Sequence, residues 1–405
     1  MSAGSAAPVV IVGAGLAAWT TARELRKRDA AVPIVLVTQD SGDFYAKPTL
    51  SNAFGQKRSP QQLVTTAAAD MAANLHVQLH AHSTVQSMDT AARTLELVQA
   101  GAVQTLAYGQ LVLATGAHPI RIPLQGDAAN AVSSVNHLDD LRRLHADLHA
   151  LPARAQGQAA TVLVMGAGLI GCEFANDLLL AGYAVHVVDP SPRPLAALLP
   201  APAGEQLRQA LQDLGVVWHF GTTVQRLDAA TGGAQRWLAT LANGTTLATD
   251  AVLSAVGLRA DTALASQAGI ACERGVLVDA QLQTSAPGVY ALGDCAQYAS
   301  AGGRTLPYVM PIMNAARVLA ANLAGTPDVL VFPLMPVAVK TPALPITVAA
   351  PDPALQGEWV QDAEATDAQA GGAWRFVDAA GAQRGFVLTG KQTAKRMEWS
   401  KATLP

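Results

Sequence analysis

Two stretches decide the fold of this chain, VVIVGAGLAAWTTAREL over residues 9–25 and VLVMGAGLIGCEFANDL over residues 162–178. Each opens with four apolar residues, which is typical of a strand buried on both faces of a parallel sheet. Each then turns through Gly-Ala-Gly and continues with the periodicity of a helix. A second apolar strand follows at residues 34–37 and at residues 184–188. The sequence therefore predicts two βαβ units.

The glycines of the two turns are suited to a dinucleotide. A turn without side chains lets the backbone approach a pyrophosphate, which then binds the N–H groups at the positive end of the helix. The third small residue of each turn lets the helix pack on the strand. A single turn of this kind is also compatible with an ordinary tight turn, but two copies in the same strand–helix setting favour two nucleotide sites. The predicted contact residues are Gly13, Gly15 and Ala18 in the first copy, and Gly166, Gly168 and Gly171 in the second copy.

The two copies differ at the end of the second strand. In the second copy this position is Asp189, whose carboxylate can accept hydrogen bonds from ribose hydroxyls and repels a 2′-phosphate. No Lys or Arg follows before Arg193, so NADH is expected over NADPH. The alternative is that Asp189 caps the loop before Pro190. The first copy has Gln39 here, which can hydrogen-bond a ribose without charge.

Composition limits the remaining classes of function. The chain has 405 residues, 50% of them hydrophobic and 14% charged, which indicates two or three globular domains. A net charge of −3 offers no basic stripe for a nucleic acid. The three cysteines are too few for a disulfide framework, and the histidines of LHVQLHAH, residues 75–82, alternate as in a half-exposed strand and not as in a metal site. With no membrane or targeting segment visible, a cytoplasmic protein is expected.

Two further motifs carry a resemblance to a family. YALGDCA, residues 290–296, resembles the second FAD motif of the pyridine nucleotide-disulfide oxidoreductases, and LVLATGAHP, residues 111–119, resembles their ATG turn. The resemblance implies that the first glycine turn holds FAD and the second holds NADH. It also implies FAD contacts at Ala114, Thr115 and Gly116, at Gly293, and at Asp294 on the ribityl chain.

The stretch FYAKPTLS, residues 44–51, points to one branch of this family. It lacks the redox-active cysteine pair of the disulfide reductases and resembles the rubredoxin and ferredoxin reductases. Together with YVMP, residues 308–311, and VKTPALP, residues 339–345, it is most similar to the bacterial NADH:rubredoxin reductases. The resemblance implies an enzyme that passes electrons from NADH through FAD to rubredoxin. A ferredoxin-type reductase, a flavin NADH oxidase and a non-catalytic FAD/NADH-binding interaction module are the alternatives.

The resemblance implies an α/β fold with two Rossmann-like dinucleotide-binding domains, the second inserted in the first, and a small C-terminal α+β domain. The expected boundaries are 1–118 with 258–325 for the FAD domain, 119–257 for the NAD domain and 326–405 for the C-terminal domain. The motifs leave the oligomeric state open.

The resemblance also assigns residues near the flavin. Glu173 is expected to point at the flavin and to hold the Lys47 ammonium near N5; the alternatives are a helix N-terminal acid and a solvated loop lysine. Lys340 is expected near the flavin pyrimidine ring, with a strand-edge lysine as the alternative. The helix predicted after Tyr308, with Pro311 in its first turn and Gly325 at its end, would face the same ring. The remaining expected contacts are Leu16, Ala17, Val85, Val309 and Met310 for FAD, and Leu169, Ile170 and Gly257 for NAD.

The end of the chain is basic. Residues 391–401 contain one acidic residue, Glu398, and four basic residues, which are Lys391, Lys395, Arg396 and Lys401. Lys391 and Lys395 are spaced so that one helical face could present them to a small acidic protein such as rubredoxin. The alternative is a solvated tail.

Overall fold

The computed structural model describes residues 7–151, 159–232, 235–362 and 371–404. Contacts between Cα atoms divide the chain into two compact units. The first consists of Met1–Ala46, Val64–His118 and Leu258–Pro333, and the second of Lys47–Leu63, Pro119–Gly257 and Leu334–Pro405. The expected division into three domains with the boundaries given above stays a prediction.

The described residues form eight α-helices. They are α1 (Leu16–Arg28), α2 (Ala68–Leu75), α3 (Leu138–His149), α4 (Leu169–Leu180), α5 (Ala201–Leu214), α6 (Ala263–Gln267), α7 (Val309–Leu323) and α8 (Arg396–Ala402). Short 3₁₀ helices are found at Lys47–Asn52, Pro60–Leu63, Ala129–Ala131, Gly293–Cys295, Ala299–Ala301 and Gly390–Lys395.

The strands are numbered along the chain. They are β1 (Val9–Val12), β2 (Ile34–Val37), β3 (Phe44–Tyr45), β4 (Val64–Thr66), β5 (Val77–His80), β6 (Ser83–Asp89), β7 (Thr94–Gln99), β8 (Ala102–Ala107), β9 (Gln110–Leu113), β10 (Ala117–Pro119), β11 (Val132–Ser133), β12 (Thr161–Met165), β13 (Ala184–Asp189), β14 (Val217–Phe220), β15 (Val224–Ala229), β16 (Trp237–Leu241), β17 (Thr246–Thr249), β18 (Ala251–Ser254), β19 (Leu258–Ala260), β20 (Val276–Val278), β21 (Val289–Ala291), β22 (Ala296–Tyr298), β23 (Arg304–Thr305), β24 (Val337–Val339), β25 (Ile346–Ala349), β26 (Gly357–Gln361), β27 (Ala373–Asp378) and β28 (Gln383–Thr389).

The first unit is built on a five-stranded parallel sheet with the strand order β21-β9-β1-β2-β5. β1 is central, and all four of its residues are buried, as its continuous apolar pattern predicts. α1 follows β1 and packs against α7. An antiparallel sheet, β6-β7-β8, adds to this unit.

The second unit repeats this plan. Its parallel sheet has the order β11-β18-β12-β13-β14, with β12, the first strand of the second glycine motif, again in the centre. α4 follows β12, and an antiparallel sheet, β15-β16-β17, again accompanies it. Both predicted βαβ units are confirmed, and so is the predicted α/β fold class.

The C-terminal residues form an antiparallel sheet with the order β24-β25-β28-β27-β26. The basic tail is not a loose end, because α8 inserts the buried Trp399 into a core with Phe386 and Leu388 of β28. The expected α-helical face through Lys391 and Lys395 is wrong, because both belong to the 3₁₀ helix Gly390–Lys395, in which residues three apart align. Within the described residues, no helix is both long and apolar enough to cross a membrane.

Candidate functional site

The first glycine turn follows β1 directly. Gly13 has φ +116°, a conformation that favours glycine, and a Cβ at this position would lie 2.2 Å from the carbonyl oxygen of Ala114. Gly15 is the N-cap of α1, and a Cβ on Gly15 would meet nothing within 4 Å. Gly13 therefore packs tightly against the backbone of Ala114, whereas the space next to Gly15 is not occupied by the described protein atoms. An anion that binds the N–H groups of α1 requires such a space.

Three sequence-distant motifs meet at this turn. The ATG turn contacts it through Ala114, and a Cβ on Gly293 would lie 3.0 Å from the Cβ of Ala17. Thr115 donates a hydrogen bond through Oγ1 to the carbonyl of Asp261 at 2.9 Å. Leu16 begins α1, and Ala18 is fully buried against the sheet. The structure thus brings the glycine turn, the ATG turn and the Gly293-Asp294 motif together in one unit.

The other expected FAD residues of this unit lie outside the glycine turn, after β2, on β6 and at the start of α7. Gln39 is exposed just after β2, and Val85 is half-buried on β6. Val309 and Met310 begin α7, with exposed fractions of 37% and 52%. This helix runs beside α1, where Thr20 Oγ1 lies 3.9 Å from the sulfur of Met313. Their contact with FAD stays a prediction.

The second glycine turn has the same geometry. Gly166 has φ +103°, and a Cβ there would lie 2.7 Å from the carbonyl oxygen of Ala255, which precedes the Gly257 turn. Gly168 is the N-cap of α4 and would carry a Cβ into open space, whereas a Cβ on Gly171 would meet the Gly166 carbonyl oxygen at 2.0 Å. Leu169 and Ile170 form the first turn of α4. This turn also fits a pyrophosphate.

Asp189 is positioned by its place at the end of β13. Its Oδ2 accepts a hydrogen bond from the backbone N–H of Ala167 in the glycine turn at 2.6 Å. Its Oδ1 accepts one from the N–H of Ser191 at 2.7 Å, which is the loop-capping contact considered as the alternative. A carboxylate oxygen can accept more than one hydrogen bond, so these contacts leave capacity for ribose hydroxyls. The contact of Asp189 with NADH stays a prediction.

Glu173 is fully buried on α4 and is the centre of a polar cluster, which we define as Ser51, Glu173 and Lys340. Glu173 Oε2 accepts hydrogen bonds from the Lys340 ammonium and from Ser51 Oγ, both at 2.6 Å. Glu173 Oε1 accepts one from the Lys340 backbone N–H at 2.9 Å. The Lys340 ammonium also donates to Ser51 Oγ at 3.0 Å and to the carbonyl of Pro48. The cost of burying the Glu173 charge is thus offset by its hydrogen bonds to Ser51 and to Lys340, whose side chain is 30% exposed.

The expected partner of Glu173 was Lys47, and the partner that the structure shows is Lys340. Lys47 is the first residue of the 3₁₀ helix Lys47–Asn52. Pro48 fits here because proline is tolerated in the first turn of a helix. The roles of Lys47, Glu173 and Lys340 towards a flavin stay predictions.

Sequence reasoning missed two members of this region. Ser51 stands four residues after Lys47, at the end of the stretch FYAKPTLS. Asp177 lies one helical turn after Glu173 and is only 5% exposed. Burial raises the pKa of the Asp177 carboxyl to about 6, although the N–H groups of Gly55 and Phe54 and the charge of Lys340 lower it. The spacing of Asp177 from Glu173 was the available signal.

None of the three cysteines forms a disulfide. All three are free, and Cys295 beside Asp294 is fully buried, as predicted. Burial raises the pKa of the Cys295 thiol to about 11.

Comparisons with known proteins agree with this geometry. Residues 7–317 match the family described as Pyridine nucleotide-disulphide oxidoreductase, and residues 329–403 match one described as Rubredoxin binding C-terminal domain. The chain is 40% identical over 389 residues to the Rubredoxin-NAD(+) reductase of Acinetobacter baylyi, covering 96% of this chain and 95% of the relative. It is also 40% identical over 394 residues to the Nitric oxide reductase FlRd-NAD(+) reductase of Aeromonas hydrophila, covering 96% and 95%.

Among solved structures, a ferredoxin reductase of the CYP199A2 system from Rhodopseudomonas palustris is similar with a TM-score of 0.84. It is 26% identical, and the match covers 96% of this chain and 92% of the solved one. With two glycine turns, the ATG turn and the Gly293-Asp294 motif in place, the chain belongs to the pyridine nucleotide-disulphide oxidoreductase family.

Proposed function

We propose that this chain is an NADH-dependent flavoprotein reductase that passes electrons from NADH through FAD to rubredoxin. The observation that carries the proposal is the combination of two open glycine turns, one in each unit, with a C-terminal region that matches a rubredoxin-binding domain. Bound FAD supplies the redox chemistry, because a flavin accepts a hydride from NADH and releases electrons one at a time.

The residues of the chain supply binding and electrostatics. The free N–H groups at the start of α1 would hold the FAD pyrophosphate, and those at the start of α4 would hold the NADH pyrophosphate. Asp189 would bind the adenosine ribose and exclude a 2′-phosphate. We expect no side chain to act as an acid or base in hydride transfer, because the step needs orientation and not proton exchange.

The acceptor is tested by steady-state NADH oxidation with purified rubredoxins and ferredoxins, with oxygen uptake measured in parallel. The proposal predicts the highest kcat/KM with a rubredoxin and little oxygen uptake. Faster turnover with a ferredoxin or with oxygen alone would contradict it. A flavin that is not bleached by NADH under anaerobic conditions would indicate a binding module instead.

The similarity to the Aeromonas hydrophila relative favours a second acceptor, the FlRd protein of a nitric oxide reductase system. Adding that acceptor to the same panel distinguishes the two. The cytoplasmic location expected from the sequence stays a prediction.

A further inference from the structure

One face of α4 carries three buried polar side chains. Glu173, Asn176 and Asp177 are at most 5% exposed, and their spacing places them side by side on the helix. Burying a polar side chain costs free energy unless it is hydrogen-bonded, so each of these residues needs a partner.

Glu173, Asp177 and the Oδ1 atom of Asn176 find partners in chain segments distant in sequence. Asp177 accepts hydrogen bonds from the backbone N–H of Phe54 at 3.0 Å and of Gly55 at 2.8 Å. Asn176 Oδ1 accepts one from the N–H of Ala343 at 3.1 Å. Because these partners are backbone groups, the contacts position the chain itself and not only side chains.

The contact between Asp177 and Gly55 is unusually close. A Cβ on Gly55 would lie 2.9 Å from Asp177 Oδ1 and 3.0 Å from the Cβ of Leu180. A glycine at this position therefore allows the carboxylate to reach the backbone. Ser51, which donates to Glu173, lies in the same short segment, four residues before Gly55.

We propose that Asp177 is a positioning residue for flavin reduction: by holding the backbone at Phe54 and Gly55, it keeps Ser51 in place against Glu173 and Lys340. The inference rests on the proposed reductase function and extends it to a residue outside the polar cluster of Ser51, Glu173 and Lys340.

The hydrogen bonds from the N–H groups of Phe54 and Gly55 are strongest when the Asp177 carboxyl is ionised, because a charged acceptor strengthens a hydrogen bond. The charged groups that face it are Glu173 on its own helix and Lys340. On the segment that it holds, Phe54 stacks on His145 of α3 with ring centroids 5.8 Å apart. Burial raises the pKa of Asp177 to about 6, and the hydrogen bonds from Phe54 and Gly55 lower it. Acidification therefore weakens these two hydrogen bonds, although it also removes the cost of burying the charge.

The test is anaerobic stopped-flow bleaching of the FAD-loaded protein by NADH. In Asp177→Asn, an amide NH₂ replaces one acceptor and faces a backbone donor, so one of the two contacts is lost. We expect a limiting rate about tenfold lower. We expect FAD content to be unchanged and the NADH concentration for half-maximal rate to stay within about twofold. Gly55→Ala perturbs the same contact from the other side and should slow bleaching in the same direction.

The pH profile separates this role from a loss of structure. The limiting rate of the parent protein should fall as the pH is lowered through about 6, and Asp177→Asn should lack that step. His145→Gln removes the imidazole that stacks on Phe54 and should keep the step. Asp213→Asn, the same change at an exposed residue of α5, should match the parent.

Two outcomes are distinguishable. If NADH bleaches the parent and both Asp177→Asn and Gly55→Ala bleach at the parent rate, the positioning role is wrong and the reductase function stands. If NADH does not bleach the parent, the reductase function is overturned, and this inference with it.

Discussion

At the scale of single residues, the ion pair between Lys340 and Glu173 is the feature with the largest expected effect on stability. Glu173 is fully buried, and removing Lys340 leaves the Glu173 charge uncompensated, at a cost of about 3–5 kcal/mol. Lys340→Met should therefore lower the free energy of unfolding by about that amount, and adding Glu173→Gln should recover much of it. Urea unfolding of the four members of this double-mutant cycle measures the coupling. Additive effects would mean that the pair is not coupled in solution.

The titration of Asp177 should make the free energy of unfolding depend on pH. Burial raises the pKa of its carboxyl from 3.8 to about 6, so its protonated form is favoured by folding. The stabilisation that the protonated carboxyl contributes to the folded state is fully present below pH 3.8 and is lost as the pH rises through about 6. Relative to Asp177→Asn, which does not titrate, the parent should lose up to about 3 kcal/mol between pH 4 and pH 7. Urea unfolding at several pH values tests this, and parallel curves for the two proteins would contradict it.

Asp189 should set the choice of nicotinamide nucleotide. Asp189→Ala removes both the expected ribose contact and the expected repulsion of a 2′-phosphate. We therefore expect kcat/KM for NADH to fall about tenfold, and the ratio of kcat/KM for NADH to kcat/KM for NADPH to fall about tenfold as well. Because the change also removes the hydrogen bonds to Ala167 and Ser191, thermal unfolding of the FAD-loaded variant is the control. An unchanged NADH/NADPH ratio would refute the assignment.

At the scale of elements, the two strand–turn–helix units predict a pair of opposite phenotypes. Neither Gly15 nor Gly168 has a positive φ, and a Cβ on either meets nothing within 4 Å, so valine should be accommodated without a clash. The new side chain would instead occupy the space above the helix N-terminus. Gly15→Val should lose FAD, whereas Gly168→Val should keep FAD and raise the KM for NADH by at least about tenfold.

Flavin absorbance after gel filtration and NADH titration measure the two effects, and each variant serves as the matched control of the other. Equal effects of both variants on FAD and NADH would mean that the turns do not hold separate nucleotides.

At the scale of the whole molecule, the prediction concerns the acceptor. The 3₁₀ helix Gly390–Lys395 and α8 expose four basic side chains, those of Lys391, Lys395, Arg396 and Lys401. Met397 among them is 64% exposed, while the buried Trp399 anchors α8. Such a basic surface attracts a small acidic protein and is screened by salt. Reversing Lys395 and Arg396 to Glu should lower rubredoxin turnover about tenfold at low ionic strength and match the parent at high salt.

Ferricyanide reduction by the same variant is the control, because it needs no protein docking. Equal rubredoxin rates at low salt would place the docking surface elsewhere on the molecule.

The sequence alone was sufficient for both βαβ units and for the family. β1 and β2 were predicted with the bounds that the structure shows, and a helix was predicted between them, because a buried strand and an amphipathic helix each follow from residues close together in the chain. The glycine turns were equally predictable, since their chemistry depends on a few consecutive residues. The tertiary structure decided the partner of Glu173, which is Lys340, 167 positions along the chain, together with Ser51, 122 positions away. It also decided that Asp177 holds Phe54 and Gly55. Such pairings leave no local periodicity, because they depend on which distant segments the fold brings to one face of α4, and only the folded chain specifies that.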